Sequence, residues 1–226
     1  EYAYANNIPF ASLKTYSGYC GENLTYTLDG EGVLTISGTG DMYDEFFWEF
    51  AKEIRIIKSI VIEDGVTSIG NYAFCGFYNV TDVTIPDTVV KIPARTFYGC
   101  SALAEAVAHK NLKGVSPDAL TGTAWEQSQP EGALAFVRIC YGYKGNVTNL
   151  IIPEGVSIIE PYAFLGCEQI KTVEFGPDVE EIGLYAFQNC TNLKEVDFDD
   201  AIGVLEAGAF KGCSSLKVAD FSEATL

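Results

Sequence analysis

YAFQNCTNLKEVDF, residues 185–198, repeats the phrase YAFLGCEQIKTVEF of residues 162–175, with the apolar letters kept and the polar ones changed. The kept letters are an Ala-Phe pair, a Cys or its neighbour slot three residues on, a Leu or Ile after that, and an alternating triplet. Phe74, Phe97, Phe164, Phe187 and Phe210 hold the Phe position, and neighbours within each run stand 23 residues apart. Leu120 holds a degraded copy of the same slot, 23 residues after Phe97. A fixed period of this size marks a repeat array, in which one unit closes its core only against the next.

Each repeat has three apolar stations. The first is the triplet, such as Val173 and Phe175 around Glu174; alternation sends two side chains inward and one outward, as in a half-buried strand. The second is a Val-x-x-Ile step, for example Val66 and Ile69, or Val179 and Ile182. The third is the Ala-Phe pair with its Cys. Pro86, Pro153, Gly65 and Gly183 punctuate the chain into corners. The short stretch before each Phe, such as GLYAF at 183–187, suits one helical or 3₁₀ turn. Stacked copies predict parallel triplets along one face of a curved solenoid, with turns beginning at Ile60, Val83, Ala106, Leu150, Val173, Val196 and Ala219.

Two stretches break the period. Residues 121–147 join a polar TAWEQSQPEG to an apolar ALAFVRICYGY and predict an inserted hairpin-like turn. Residues 1–57 carry two alternating runs, Leu24–Leu28 and Val33–Ile36, joined by DGEG, a β-hairpin signature. Phe47, Phe50, Ile54 and Ile57 follow near helical spacing. An open solenoid end exposes apolar residues, so 1–57 is read as a capping unit and 58–226 as the solenoid. The final VADFSEATL completes a strand without a visible cap.

The chain has 226 residues and a net charge of −17, from 31 acidic and 14 basic side chains. It has no basic stripe, which argues against nucleic acid and anionic membrane surfaces as partners. No apolar run reaches the ~18 residues of a membrane span, and EYAYANNIPF does not read as a signal peptide. Basic proteins, glycans and cations remain, beside the plainer reading that acid excess keeps an extended protein soluble.

IPDTVVKIPARTFYGCSAL and its siblings resemble the BspA-type leucine-rich repeat, a 23-residue class of bacterial surface proteins. CGENLTYTLDGEGVLTISGTGDMYD resembles the unit that commonly precedes such repeats, and TAWEQSQPEG…YGYKG an insert that recurs among them. The resemblance implies a β-rich leucine-rich-repeat solenoid with short helical or 3₁₀ turns, a parallel sheet on its concave face and an extracellular or cell-surface location. It implies adhesion and host-protein binding as a class, and it brings no catalytic motif. The chain departs from the pattern at Leu120 and around His109.

Chemistry-bearing residues are few. Cys100, Cys167, Cys190 and Cys213 share one slot and read as a stack of buried thiols; disulfides between turns or a metal are the alternatives. Cys20, Cys75 and Cys140 fall outside it. His109, the single histidine, sits at a strand end, where a corner role outweighs that of a general base paired with Cys100. The outward triplet position runs Val61, Thr84, Val107, Ile151, Glu174, Asp197, Asp220. The first four form a mostly apolar strip, either a protein-binding face or a surface covered by the N-terminal unit or the insert. The last three form an acidic file, with Lys171, Lys194 and Lys217 three residues before each acid. A solvated face neutralised by those lysines is the default, and calcium or a basic partner the alternative. The expectation is a non-enzymatic binding module without cofactor or metal, recognising host or matrix protein or glycan through Thr84, Ile151, Glu174, Asp197, Asp220, Lys171, Lys194 and Lys217. A structural spacer within a larger surface protein is the alternative.

Overall fold

Triplets that bury one face must pair edge to edge, and the 23-residue period fixes how. The computed structural model describes residues 15–44, 54–198 and 202–219. Phe47, Phe50 and Asp220 lie outside the described residues. The chain divides into two compact units, one of Glu1–Asn111 with Asp118–Ser128, the other of Leu112–Pro117 with Gln129–Leu226.

The first unit begins with β1 (Tyr16–Tyr19), β2 (Leu24–Leu28), β3 (Val33–Gly38) and β4 (Gly40–Asp41). Then follow β5 (Ser59–Ile62), β6 (Val66–Ser68), β7 (Asp82–Thr84), β8 (Lys91–Ile92) and β9 (Glu105–Val107). A six-stranded sheet runs in the order β1-β2-β3-β5-β7-β9. Its first three strands are antiparallel, with Leu24 opposite Gly38 and Leu28 opposite Leu34. From β3 onward pairing is parallel, and Ile60, Val83 and Ala106 lie side by side, one repeat apart. The hairpin thus starts the ladder that the repeats extend. A helix α1 (Ala124–Ser128) ends the unit; its residue Trp125 donates its N–H to the Leu103 carbonyl at 2.8 Å.

The second unit contains β10 (Gly114–Val115), β11 (Gly132–Phe136), β12 (Ile139–Lys144), β13 (Asn149–Ile151) and β14 (Ile158–Ile159). It continues with β15 (Thr172–Glu174), β16 (Glu181–Ile182), β17 (Glu195–Asp197), β18 (Val204–Leu205) and β19 (Val218–Ala219). The triplets form the sheet β13-β15-β17-β19, and the second stations form β11-β12-β14-β16-β18. The inserted strands β11 and β12 make an antiparallel hairpin. β12 then runs parallel to β14, with Ile139 beside Ile158 and Cys140 beside Ile159. The insert therefore supplies the second-station strand that its irregular spacing omits.

The third station explains the conserved phrase. Phe164 stacks on Phe187 at 4.7 Å between ring centroids, and Phe187 on Phe210 at 5.1 Å. In the first unit Phe74 stacks on Phe97 at 5.6 Å. The stretch before each Phe is a run of tight turns. The residue two before Phe is left-handed at Tyr72, Arg95, Tyr162 and Tyr185, with φ between 52° and 62°, and so is Gly208. The residue two after it is left-handed at Gly76, Gly99, Gly122, Gly166, Asn189 and Gly212. Two left-handed residues flanking the Phe stop a helix from propagating. They leave its N–H free to reach the next turn, as from Phe164 to the Ala186 carbonyl and from Phe187 to the Ala209 carbonyl, each at 2.8 Å.

Two stability changes follow. Phe187→Ala removes a fully buried ring stacked on both sides and should destabilise the fold by about 4 kcal/mol, read from chemical denaturation. Val137, at the β11–β12 turn, has φ 58°, a conformation that a β-branched side chain strongly resists. It is 44% exposed. Val137→Gly should therefore stabilise by about 1 kcal/mol, and an unchanged or lowered melting temperature would contradict the strain.

Candidate functional site

Outward side chains of the triplets are held in register by the parallel ladder. In the second unit Ile151, Glu174 and Asp197 lie side by side across β13, β15 and β17. All three are exposed, Ile151 by 61%. In the first unit Thr84 is exposed between Val61 and Val107 on β7. The structure thus brings Ile151, Glu174 and Asp197 together on one sheet face and places Thr84 on the sheet of the other unit. Asp220 lies outside the described residues.

The lysines take a different position. Lys171, Lys194 and Lys217 are exposed, and their backbone N–H groups join successive turns, to Thr148, Lys171 and Lys194 carbonyls at 2.7, 2.8 and 3.2 Å. Among the described residues none of them forms an ion pair with Glu174 or Asp197. The lysines precede the strands rather than lying in them, so strand alternation does not align them with the acids. Glu174 and Asp197 thus have no direct lysine partner among the described residues. Two charges ~5 Å apart in water repel by only about 0.8 kcal/mol, which the fold tolerates.

Sequence reading missed half of this face. The triplets pair one residue earlier as well: Asp82 lies beside Glu105 in the first unit, and Thr172 beside Glu195 in the second. Asp82, Glu105 and Glu195 are exposed. Carrying the alternation two residues back from each outward triplet residue, Thr84, Val107 and Asp197, would have found them.

All seven cysteines are free thiols. In the repeat slot the thiol of Cys100 donates to the Phe74 carbonyl, that of Cys190 to Phe164 and that of Cys213 to Phe187, each at 3.1 Å. A small apolar residue that also donates weakly suits a carbonyl left inside the turn, which explains Cys over Ala. Burial pushes the Cys100 and Cys140 thiols up to about 12 and Cys20 to about 11. The Cys190 thiol is raised by its hydrogen bond with Cys213 and by burial. Thiols held neutral in this way are poor nucleophiles. Among the described residues no three His, Cys, Asp or Glu side chains are placed to share a metal ion, and no helix is long and apolar enough to cross a membrane.

His109 is a corner residue. Its Nε2 lies 2.9 Å from the Val89 carbonyl, and Asn111 donates its N–H to Nδ1 at 3.2 Å. Both ring nitrogens are thus engaged in bonds that clasp the third corner to the second. Asp87 stands 3.4 Å from Nδ1.

The raised thiols give a pH prediction. An unfolded thiol ionises near 9.0, while the folded ones stay protonated to about 12. Between these values the unfolded chain binds fewer protons, so stability falls as pH rises. The melting temperature should decline above about pH 9, and a Cys100→Ala/Cys140→Ala variant should decline less steeply. Identical alkaline limbs would refute the assignment.

A family model described as BspA type leucine rich repeat region matches residues 49–128 and 137–225, in six copies. A comparison with curated proteins returned no match. Among solved structures, the chain is similar to a leucine-rich repeat protein from Eubacterium ventriosum, at 17% identity over 92% of this chain and 91% of that one, with a TM-score of 0.39. It is similar to a leucine rich cell surface protein from Faecalibacterium prausnitzii, at 18% identity over 91% and 82%, TM-score 0.36. A leucine-rich repeat protein of T. pallidum is 20% identical over 87% and 89%, TM-score 0.40.

Proposed function

The chain belongs to the BspA-type leucine-rich repeat family, and from that premise we propose that it is a non-enzymatic binding module of a bacterial surface or secreted protein. It recognises a host or matrix protein, or a glycan, through the outward face of its triplet strands. The family is in general a non-enzymatic repeat scaffold. One observation carries the reading: Ile151, Glu174 and Asp197 stand in register on an exposed sheet face, with the acids unpaired among the described residues. Ile151, 61% exposed, places an apolar group beside the acids. The combination suits a partner that combines an apolar anchor with basic or hydrogen-bonding groups. His109, with both ring nitrogens engaged in structural bonds, supports a scaffold over a catalyst.

The test is binding of the purified chain to immobilised matrix proteins and glycans at low and physiological salt, with and without calcium. Saturable binding that survives physiological salt is expected. Changing Ile151, Glu174 and Asp197 to Ala should weaken it by at least about tenfold, or 1.4 kcal/mol. Binding unaffected by these changes would remove this face, and loss of all binding at physiological salt would leave only non-specific attraction to an acidic chain. Failure to bind any member of the panel would favour the spacer role.

A further inference from the structure

We propose that the outer face of the β1–β2–β3 region is itself a binding site, for a neutral polysaccharide. The inner face of these strands is committed to the core: Leu24, Tyr26, Leu28, Leu34 and Ile36 are all buried. Tyr26 even lies over Gly18, where an added Cβ would meet its ring at 2.9 Å. The outer face carries Ser17, Tyr19, Thr25, Thr27, Thr35 and Ser37, with half-buried Val33 at one end. Pairing sets these six hydroxyls in two rows, Ser17–Thr27–Thr35 and Tyr19–Thr25–Ser37. Neighbours within a row are ~4.8 Å apart across the strands, and the rows are ~6.7 Å apart along them.

Three properties of this array select the ligand. None of the six hydroxyls has a protein hydrogen-bond partner among the described residues. A hydroxyl both donates and accepts, as sugar hydroxyls do, so a regular array can exchange bonds with successive sugar units. Tyr19, 72% exposed at the rim, offers an amphipathic ring against which the apolar face of a sugar can lie. The six positions themselves carry no charge in a chain that is 20% charged; acids border them, with exposed Glu63 next in register to Ser37 and Asp82 and Glu105 farther along the sheet. An uncharged ligand loses no ionic solvation here, whereas a sulfated or uronic-acid polymer meets the field of a −17 chain. Thr is a good strand former, which accounts for some Thr on the face. It does not account for the exposed Tyr19.

The inference rests on the reading of the chain as a binding module and adds a second face to it. Affinity electrophoresis of the full chain in gels containing a mixed-linkage β-glucan, a galactomannan or a dextran tests it, with heparin as the anionic control. At least one neutral polymer should retard the chain and heparin should not. Thr27→Glu and Tyr19→Ala should each weaken that retardation by about tenfold at unchanged melting temperature, while Asp197→Ala leaves it intact. Retardation by none of the three neutral polymers would overturn the proposal. So would retardation that both outer-face variants preserve, or that only heparin produces. The two readings fail separately, because the matrix-protein binding proposed above responds to Ile151, Glu174 and Asp197 and not to Thr27.

Discussion

Everything in this protein depends on each repeat meeting its own copy 23 residues later. A single turn has too few apolar side chains to close a core. Stacked in register, Phe164, Phe187 and Phe210 bury one another, and Leu150, Val173 and Val196 do the same from the strand side. Parallel pairing at one-repeat offset forces this coincidence: once the triplets hydrogen-bond, every other station is carried into contact with its counterpart. A change at one apolar station is therefore felt by two turns, while a change at an outward position is felt by none.

That register also dictates backbone conformations that single residues resist. The chain must turn sharply twice around each Phe to present its N–H to the next turn. It does so with left-handed residues even where the side chain is Tyr, Arg or Asn. Ladder bonds and ring stacking outweigh a local penalty of about 1–2 kcal/mol at each such residue. The thiol slot reflects the same economy of space. A Cys fits where a larger residue would not, and its S–H answers a carbonyl of the turn before.

Function follows from what the register leaves over. The outward positions do not contribute to the stack, so their chemistry is unconstrained by folding. In the first unit they run from a neutral hydroxyl face on the hairpin strands to Asp82 and Glu105 on β7 and β9. In the second they combine Ile151 with Glu174, Glu195 and Asp197. One scaffold thus displays chemically different faces without changing its core.

The repeat, the strand triplets, the inward set and the hairpin at Leu24–Leu28 and Val33–Ile36 are legible in the amino-acid order, because each is a local pattern of period two or 23. That order also pointed to Glu174 and Asp197, since alternation names the outward residue. The rest emerged only from the folded chain. Pairing showed that Asp82, Glu105 and Glu195 share the outward face, and the side-chain contacts show no ion pair from Lys171 or Lys194 to Glu174 or Asp197 among the described residues. Folding made the irregular insert supply β12 as partner for β14. It also gave His109 a clasp between corners, because Val89 is brought to it only when the third turn stacks on the second. Periodicity fixes which side chains are buried, whereas hydrogen-bond partners and charge neighbours depend on the register between turns, which the chain acquires only when it stacks.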